Sequence, residues 1–181
     1  MVVAVVGRTD KRPVIYTLMH LFQKLGDCCV ITHDQHFRRL IEDGIDVGHC
    51  QNIFIITTED EPDQVFMDVG YKEDDFENII FDCTDVIPDN ADQVIFVAGS
   101  DGVTEDDETL LGMYEGYKVI EYGFGKKKIP YSTKAFEAIE IFEGLHDVRP
   151  IDQQITNRLA SIFTEKLGLS VKQITEVVNR R

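Results

Sequence analysis

Gly7, Arg8 and Lys11 are the residues of this chain whose types and positions suit the binding of a phosphate. Gly7 closes the apolar run Val2 to Val6, and Pro13 follows a short polar loop at the start of a helical pattern. A strand, a loop and a helix start in that order form an anion cradle, because the first N–H groups of a helix lack partners and its dipole favours negative charge. The full phosphate-binding motif reads GxxxxGK[ST]: glycines admit the phosphates, lysine supplies charge and the hydroxyl holds magnesium. Counted from Gly7, this chain has Arg12 for the second glycine, Pro13 for the lysine and Val14 for the hydroxyl. Proline removes a donor, arginine is expected to crowd the phosphate path, and valine binds no metal. Lys11 and Arg8 remain as charges for an anion, so the loop is disabled for the usual geometry only.

A second group, His33, Asp34 and His36, lies at the end of the apolar run Cys28 to Thr32. The two histidines have the look of metal ligands, yet no third His or Cys follows at metal-site spacing, and helix capping is the favoured reading. No metal site and no catalytic residue is assigned. Cys28, Cys29, Cys50 and Cys83 contain no CxxC pair and read as reduced core residues.

These groups need a scaffold, and hydrophobic periodicity supplies one. Val2 to Val6, Cys28 to Thr32, Asn52 to Thr58, Asn78 to Cys83, Gln93 to Ala98 and Tyr117 to Tyr122 read as strands, mostly without alternation, as in a sheet covered on both faces. Helices are expected from Pro13 to about Lys24, from Phe37 to Asp43, from Glu105 to about Tyr114, from Thr133 to Phe142, from Asp152 to Leu167 and from Val171 to Asn179. Pro13 suits the first helical position, and Asp10 or Thr9 the cap before it. Thr104 and Ser170 are further caps, and Gly116 and Gly168 are stops. Val65 to Val69 reads as a short edge strand or ribbon. Strands alternating with helices predict an α/β three-layer sandwich with a mostly parallel central sheet. Residues 1–150 make up this domain, and 151–181 are C-terminal helices packed on it, the last of which either stays on the domain or docks a partner.

Composition narrows the function. The chain of 181 residues, 43% hydrophobic and 28% charged, suits one well-cored domain. A formal charge of −15 opposes direct nucleic-acid binding, which is driven by phosphate neutralisation. The acidic runs Glu59 to Asp63, Glu73 to Glu77 and Glu105 to Glu108 read as solvated loops or helix starts. No apolar run reaches membrane length and the strand-like start lacks a signal-peptide pattern, so no membrane insertion and a cytoplasmic location are expected.

The order of the pieces resembles the ParA/MinD group of P-loop ATPases (SIMIBI type), including the TadZ/CpaE proteins of pilus assembly. VVAVVGRTDKRPV resembles the first strand and loop, CCVITHDQ the second strand with its L-x-x-D-x-D-P-Q ending, FENIIFDCTD the Walker B strand, and ADQVIFVAGSD the ADEVIIVVxPD strand. The TEDDETLLGMYE helix falls where the group places one, and the match spans roughly residues 1 to 125. The resemblance implies that Asp82 stands for the aspartate that assists magnesium, and Asp34 for the second aspartate of the strand-two motif. It also implies that Arg8 stands for the signature lysine that reaches a partner's nucleotide across a dimer. Thr32 replaces the first aspartate, which helps activate water. With Arg12, Pro13 and Val14 in the loop, the departures fall on the parts that perform phosphoryl transfer.

Three functions follow as expectations. The first is a non-catalytic ParA/MinD-like scaffold or localisation factor without cofactor, forming a homodimer or heteromeric complex in a pilus, secretion, conjugation or plasmid or phage partition system. The second is an ATP-binding switch or weak ATPase with magnesium, using Gly7, Arg8, Lys11, Asp34 and Asp82, with Lys126 to Lys128 adding charge. The third is an unrelated α/β enzyme built around His33, Asp34 and Asp82.

Overall fold

A computed structural model of the chain describes residues 1–60, 64–123, 128–130 and 133–179. Its strands are β1 (Val2–Val6), β2 (Cys28–Thr32), β3 (Val47–Cys50), β4 (Ile53–Thr57), β5 (Asn78–Cys83), β6 (Gln93–Ala98) and β7 (Lys118–Glu121). They form one sheet in the order β3-β4-β2-β5-β1-β6-β7, parallel throughout except for β3, which runs antiparallel to β4 at the edge. The fold is therefore α/β with a mostly parallel central sheet, and five of the strands are buried along their whole length. Burial on both faces explains their near-continuous β-branched and aliphatic sequences.

Alternation along each strand divides the core. Val3 and Val5 face one cluster with Val30, Ile55 and Ile80, whereas Val2, Ala4 and Val6 face the other with Ile31, Ile56 and Phe81. The first face is covered by α1 (Arg12–Phe22), α4 (Thr133–Gly144), α5 (Gln153–Leu167) and α6 (Val171–Asn179). Among the described residues the second carries α2 (Val65–Val69), α3 (Glu105–Leu111) and a 3₁₀ turn at Glu73–Asp75. The C-terminal helices join the first core directly, with Phe163 of α5 packed edge-on to Phe22 of α1 at 5.6 Å between ring centroids.

Four expectations change. Val65 to Val69 is a helix, because Val65, Phe66 and Val69 all pack on the second core, a one-sided pattern that no strand provides. Gly70 ends it in the left-handed conformation at φ 75°. The helix expected at Phe37 to Asp43 is a 3₁₀ segment at Gln35–Leu40 whose buried residues, Phe37 and Leu40, are three apart and so eclipse at three residues per turn. Thr104 caps α3 reciprocally with Asp107 as expected, but α3 ends at Leu111, with Gly112 rather than Gly116 after it. Strand β3 escaped sequence reading because it is short, contains Gly48, and forms only by pairing with β4. Its outer edge is closed from within the chain, Glu42 N donating to His49 O at 2.8 Å and His49 N donating to the Asp43 carboxylate at 2.5 Å.

No helix among the described residues is long and apolar enough to cross a membrane. Truncating the hinge of the first core tests the packing: Phe163→Ala should lose about 3–5 kcal/mol of unfolding free energy in urea denaturation, since Phe163 is fully buried.

Candidate functional site

The sheet order places a crevice. From β1 the chain passes through α1 to β2 on one side, while β5 crosses β1 to reach β6 and then β7 on the other. The carboxyl ends of β1 and β6 therefore flank a topological switch point, the place where open α/β sheets bind ligands. A cleft of about 820 Å³ opens there, lined by Arg8, Thr9, Gly99, Ser100, Asp101 and Tyr122 among others. Its volume lies within the range of small-molecule sites. Gly7, just before the lining residue Arg8, stands at φ 136°, and a Cβ at that position would sit 2.4 Å from the Val97 carbonyl oxygen. Only glycine allows β1 to turn out so close to β6.

Beside the cleft, the loop that begins at Gly7 is filled by its own side chains. Lys11 sits at the N-cap of α1, and its ammonium donates to the Gly7 carbonyl at 2.6 Å and pairs with Asp82 Oδ1 at 3.1 Å. Asp10, one of the two expected caps, accepts from Arg12 N at 3.0 Å. Pro13 stands at the second rather than the first helical position and has no N–H, and the amides of Val14 and Ile15 both turn to Lys11 O at 3.0 Å. The orphan donors that would receive a phosphate are thus taken or missing.

Arg12 does not crowd the loop, contrary to the sequence reading. Its guanidinium grips Asp10 with bonds of 2.7 to 3.1 Å and reaches Glu143 Oε1 on α4 at 3.2 Å. Glu143 is fully buried, also accepts from Tyr16 Oη at 3.2 Å, and faces Arg39 at 3.7 Å. Burial opposes the Arg12 charge, but the two carboxylates more than compensate and raise its pKa. Burial, reinforced by Glu143, pushes the Tyr16 phenol up as well. Arg12 is thus a strut between the loop and α4.

Asp82, next to last in β5, is in direct register with Thr32 on β2 and Val5 on β1. Thr32 Oγ1 donates to Asp82 Oδ2 at 2.6 Å and accepts from Asp34 N at 2.9 Å. A second aspartate at position 32 would have placed two buried carboxylates side by side, whereas threonine places a donor there. Burial raises the Asp82 pKa, partly offset by Lys11 and Thr32.

The remaining sequence candidates lie apart. Asp34 caps the 3₁₀ segment through His36 N and pairs with His36 Nδ1 at 2.6 Å. His33 is exposed and, with Asp60, Asp82 and Asp85, lines a cavity of about 160 Å³. No hydrogen bond or ion pair links it to Asp34 or Asp82 among the described residues. Arg8 is exposed and meets Asp85 at 3.4 Å. Lys128 pairs with Glu121 at 3.8 Å, while Lys126 and Lys127 lie outside the described residues. Among the described residues no group of three His, Cys, Asp or Glu side chains is placed to hold a metal. All four cysteines are free thiols in the core, and burial pushes Cys28 up to about 12.

Sequence reasoning missed Glu143, which stands 131 positions from its partner Arg12, and missed the cleft wall at Gly99 to Asp101. No local pattern signals the first. Gly99, after a buried strand, was a visible marker of the second. No protein-family model and no curated protein matches the chain.

Two measurements test this site. Glu143→Ala should cost about 3–5 kcal/mol in urea denaturation by leaving Arg12 without its buried partner, and Arg12→Met in that background should recover part of the loss. Asp82 gives a pH signature: its raised folded pKa means that the native state holds the proton longer, so stability conferred at low pH is lost as pH rises from about 3.8 through the folded value. The difference in unfolding free energy between the parent and Asp82→Asn should fall over that window and then level off. A difference that grows with pH would mean that Lys11 and Thr32 outweigh burial.

Proposed function

We propose that the chain is a ParA/MinD-like, TadZ/CpaE-like protein of P-loop ancestry that performs no phosphoryl transfer and acts as a scaffold or localisation factor by binding other proteins. The observation that carries this reading is the self-occupied loop. Asp10 holds the first N–H of α1, where a phosphate oxygen would sit, and the Lys11 ammonium is neutralised by Asp82. A nucleotide would have to displace an internal carboxylate and break a buried ion pair before gaining any contact, and Pro13 offers no donor in return. Phosphoryl transfer relies on positioned charge, and here the charges are spent within the fold. The motif resemblance and the parallel sheet with its crevice beside β1 add support. Such a protein works in a cell-envelope or partition machine, as a homodimer or in a heteromeric complex whose assembly does not depend on nucleotide.

The second reading, an ATP-binding switch, is favoured by one observation: the open cleft beside Gly7 and Arg8 has room for a ligand of nucleotide size. Titration calorimetry with ATP and magnesium separates the two. No heat of binding is expected up to millimolar nucleotide, and the sedimentation coefficient should be the same with and without it. Saturable binding, or a dimer that forms only with ATP, would establish the switch instead.

A further inference from the structure

The two faces of the sheet differ in cover and in charge. Between Glu59 and Glu115 the chain carries 19 Asp and Glu residues against one basic residue, Lys72, whereas the rest of it holds 14 acidic and 17 basic residues. That segment contains α2, α3 and the loop joining β5 to β6, which cover the second face. Its exposed surface bears Asp74, Asp75, Asp85, Asp89, Glu105 and Glu108. The chain's negative charge is thus concentrated in the segment that supplies cover to this face.

The same side is poorly roofed. The chain passes from β5 to β6, across β1, through a loop with no helix, so Phe81 of β5 lies at the floor of a groove of about 540 Å³ between α2 and that loop. Phe66, Met67 and Tyr71 form one wall and Pro88 with Asp89 the other. Met67 is 82% exposed and Tyr71 40%. Tyr71 continues into a layer of rings, 4.5 Å from Phe54 and 5.8 Å from Phe76 between centroids, so the wall is rigid. Lys72, Glu73 and Asn90 complete the lining, so the apolar walls stand under a rim that is acidic apart from Lys72, the features of a recognition groove.

We propose that this groove between α2 and the β5–β6 loop docks a basic amphipathic segment of a protein partner, its apolar residues on Met67, Tyr71 and Pro88 and its Lys or Arg residues against the acidic rim. The rim's charge selects that occupant. Nucleic acid and anionic membranes are repelled by it, and an apolar but uncharged segment would leave the rim uncompensated. The inference deepens the adaptor reading by naming the chemistry of a partner, and the two can fail separately, because nucleotide binding is measured at the Gly7 loop and peptide binding at α2 on the second face.

The test uses the whole chain and a fluorescein-labelled 18-residue helical peptide of leucine and lysine, with a leucine and glutamate peptide as its counterpart, read by fluorescence anisotropy. The lysine peptide should bind, more weakly as salt rises, and the glutamate peptide should not. Met67→Ser with Tyr71→Ser, and separately Asp74→Lys with Asp89→Lys, should each weaken binding about tenfold or more, the scale of removing interface anchors. Ile141→Ser with Leu145→Ser, an equal apolar loss on exposed residues of and just after α4, should leave it unchanged, and circular dichroism should show all three pairs folded. The proposal is overturned if the peptide does not bind, if the Met67 and Tyr71 pair has no effect, or if the α4 pair weakens binding equally. It is also overturned if sedimentation shows the groove substitutions dissociating a homodimer, since a second copy then covers the face.

Discussion

The carboxylate of Asp10, 3.0 Å from the first amide of α1 and clamped by the Arg12 guanidinium, sets what the front of this molecule can bind. A helix N-terminus attracts an anion whatever its source, and here the source is the neighbouring residue. Once Asp10 is in place, Arg12 is drawn to it and on to the buried Glu143, which ties α4 to the loop. Lys11 then turns inward, where Asp82 neutralises it beside Thr32. Each charge of the loop has an internal partner, so an incoming phosphate has less to gain from contact than the loop has to lose.

This arrangement makes the loop a structural element. Buried ion pairs add little net stability over apolar packing, yet removing one member leaves a charge without a partner, and that asymmetry fixes the geometry. Arg12 ties the loop and the first turn of α1 to the end of α4 through Asp10 and Glu143. The open cleft at the β1 and β6 ends, by contrast, is shaped by backbone, with Gly7 against Val97.

The second face follows a different logic. Four helices pack on one side of the sheet and two short ones on the other, where the β5–β6 loop takes the place of a crossover helix. Core packing is completed there by Phe54, Phe66 and Phe76, and side chains such as Met67 remain outside. Negative charge gathered on this thin layer keeps an apolar surface in water and restricts which partners approach it.

Much of the fold was legible from sequence because burial writes itself into composition. The five fully buried strands, the cap at Thr104 and the stop at Gly168 are local signals with local causes. Strand β3 and helix α2 were not legible, since one exists by pairing with β4 and the other by resting on the second core. The candidate site divides in the same way. Sequence alone determined that Pro13 and Val14 cannot grip phosphate and metal, because an absent N–H and an absent hydroxyl are properties of the residues themselves. Only the tertiary structure decided where the charges went, with Arg12 paired to Glu143 and Lys11 to Asp82, because a long charged side chain takes its partner from whatever packing brings within reach, however distant in the chain.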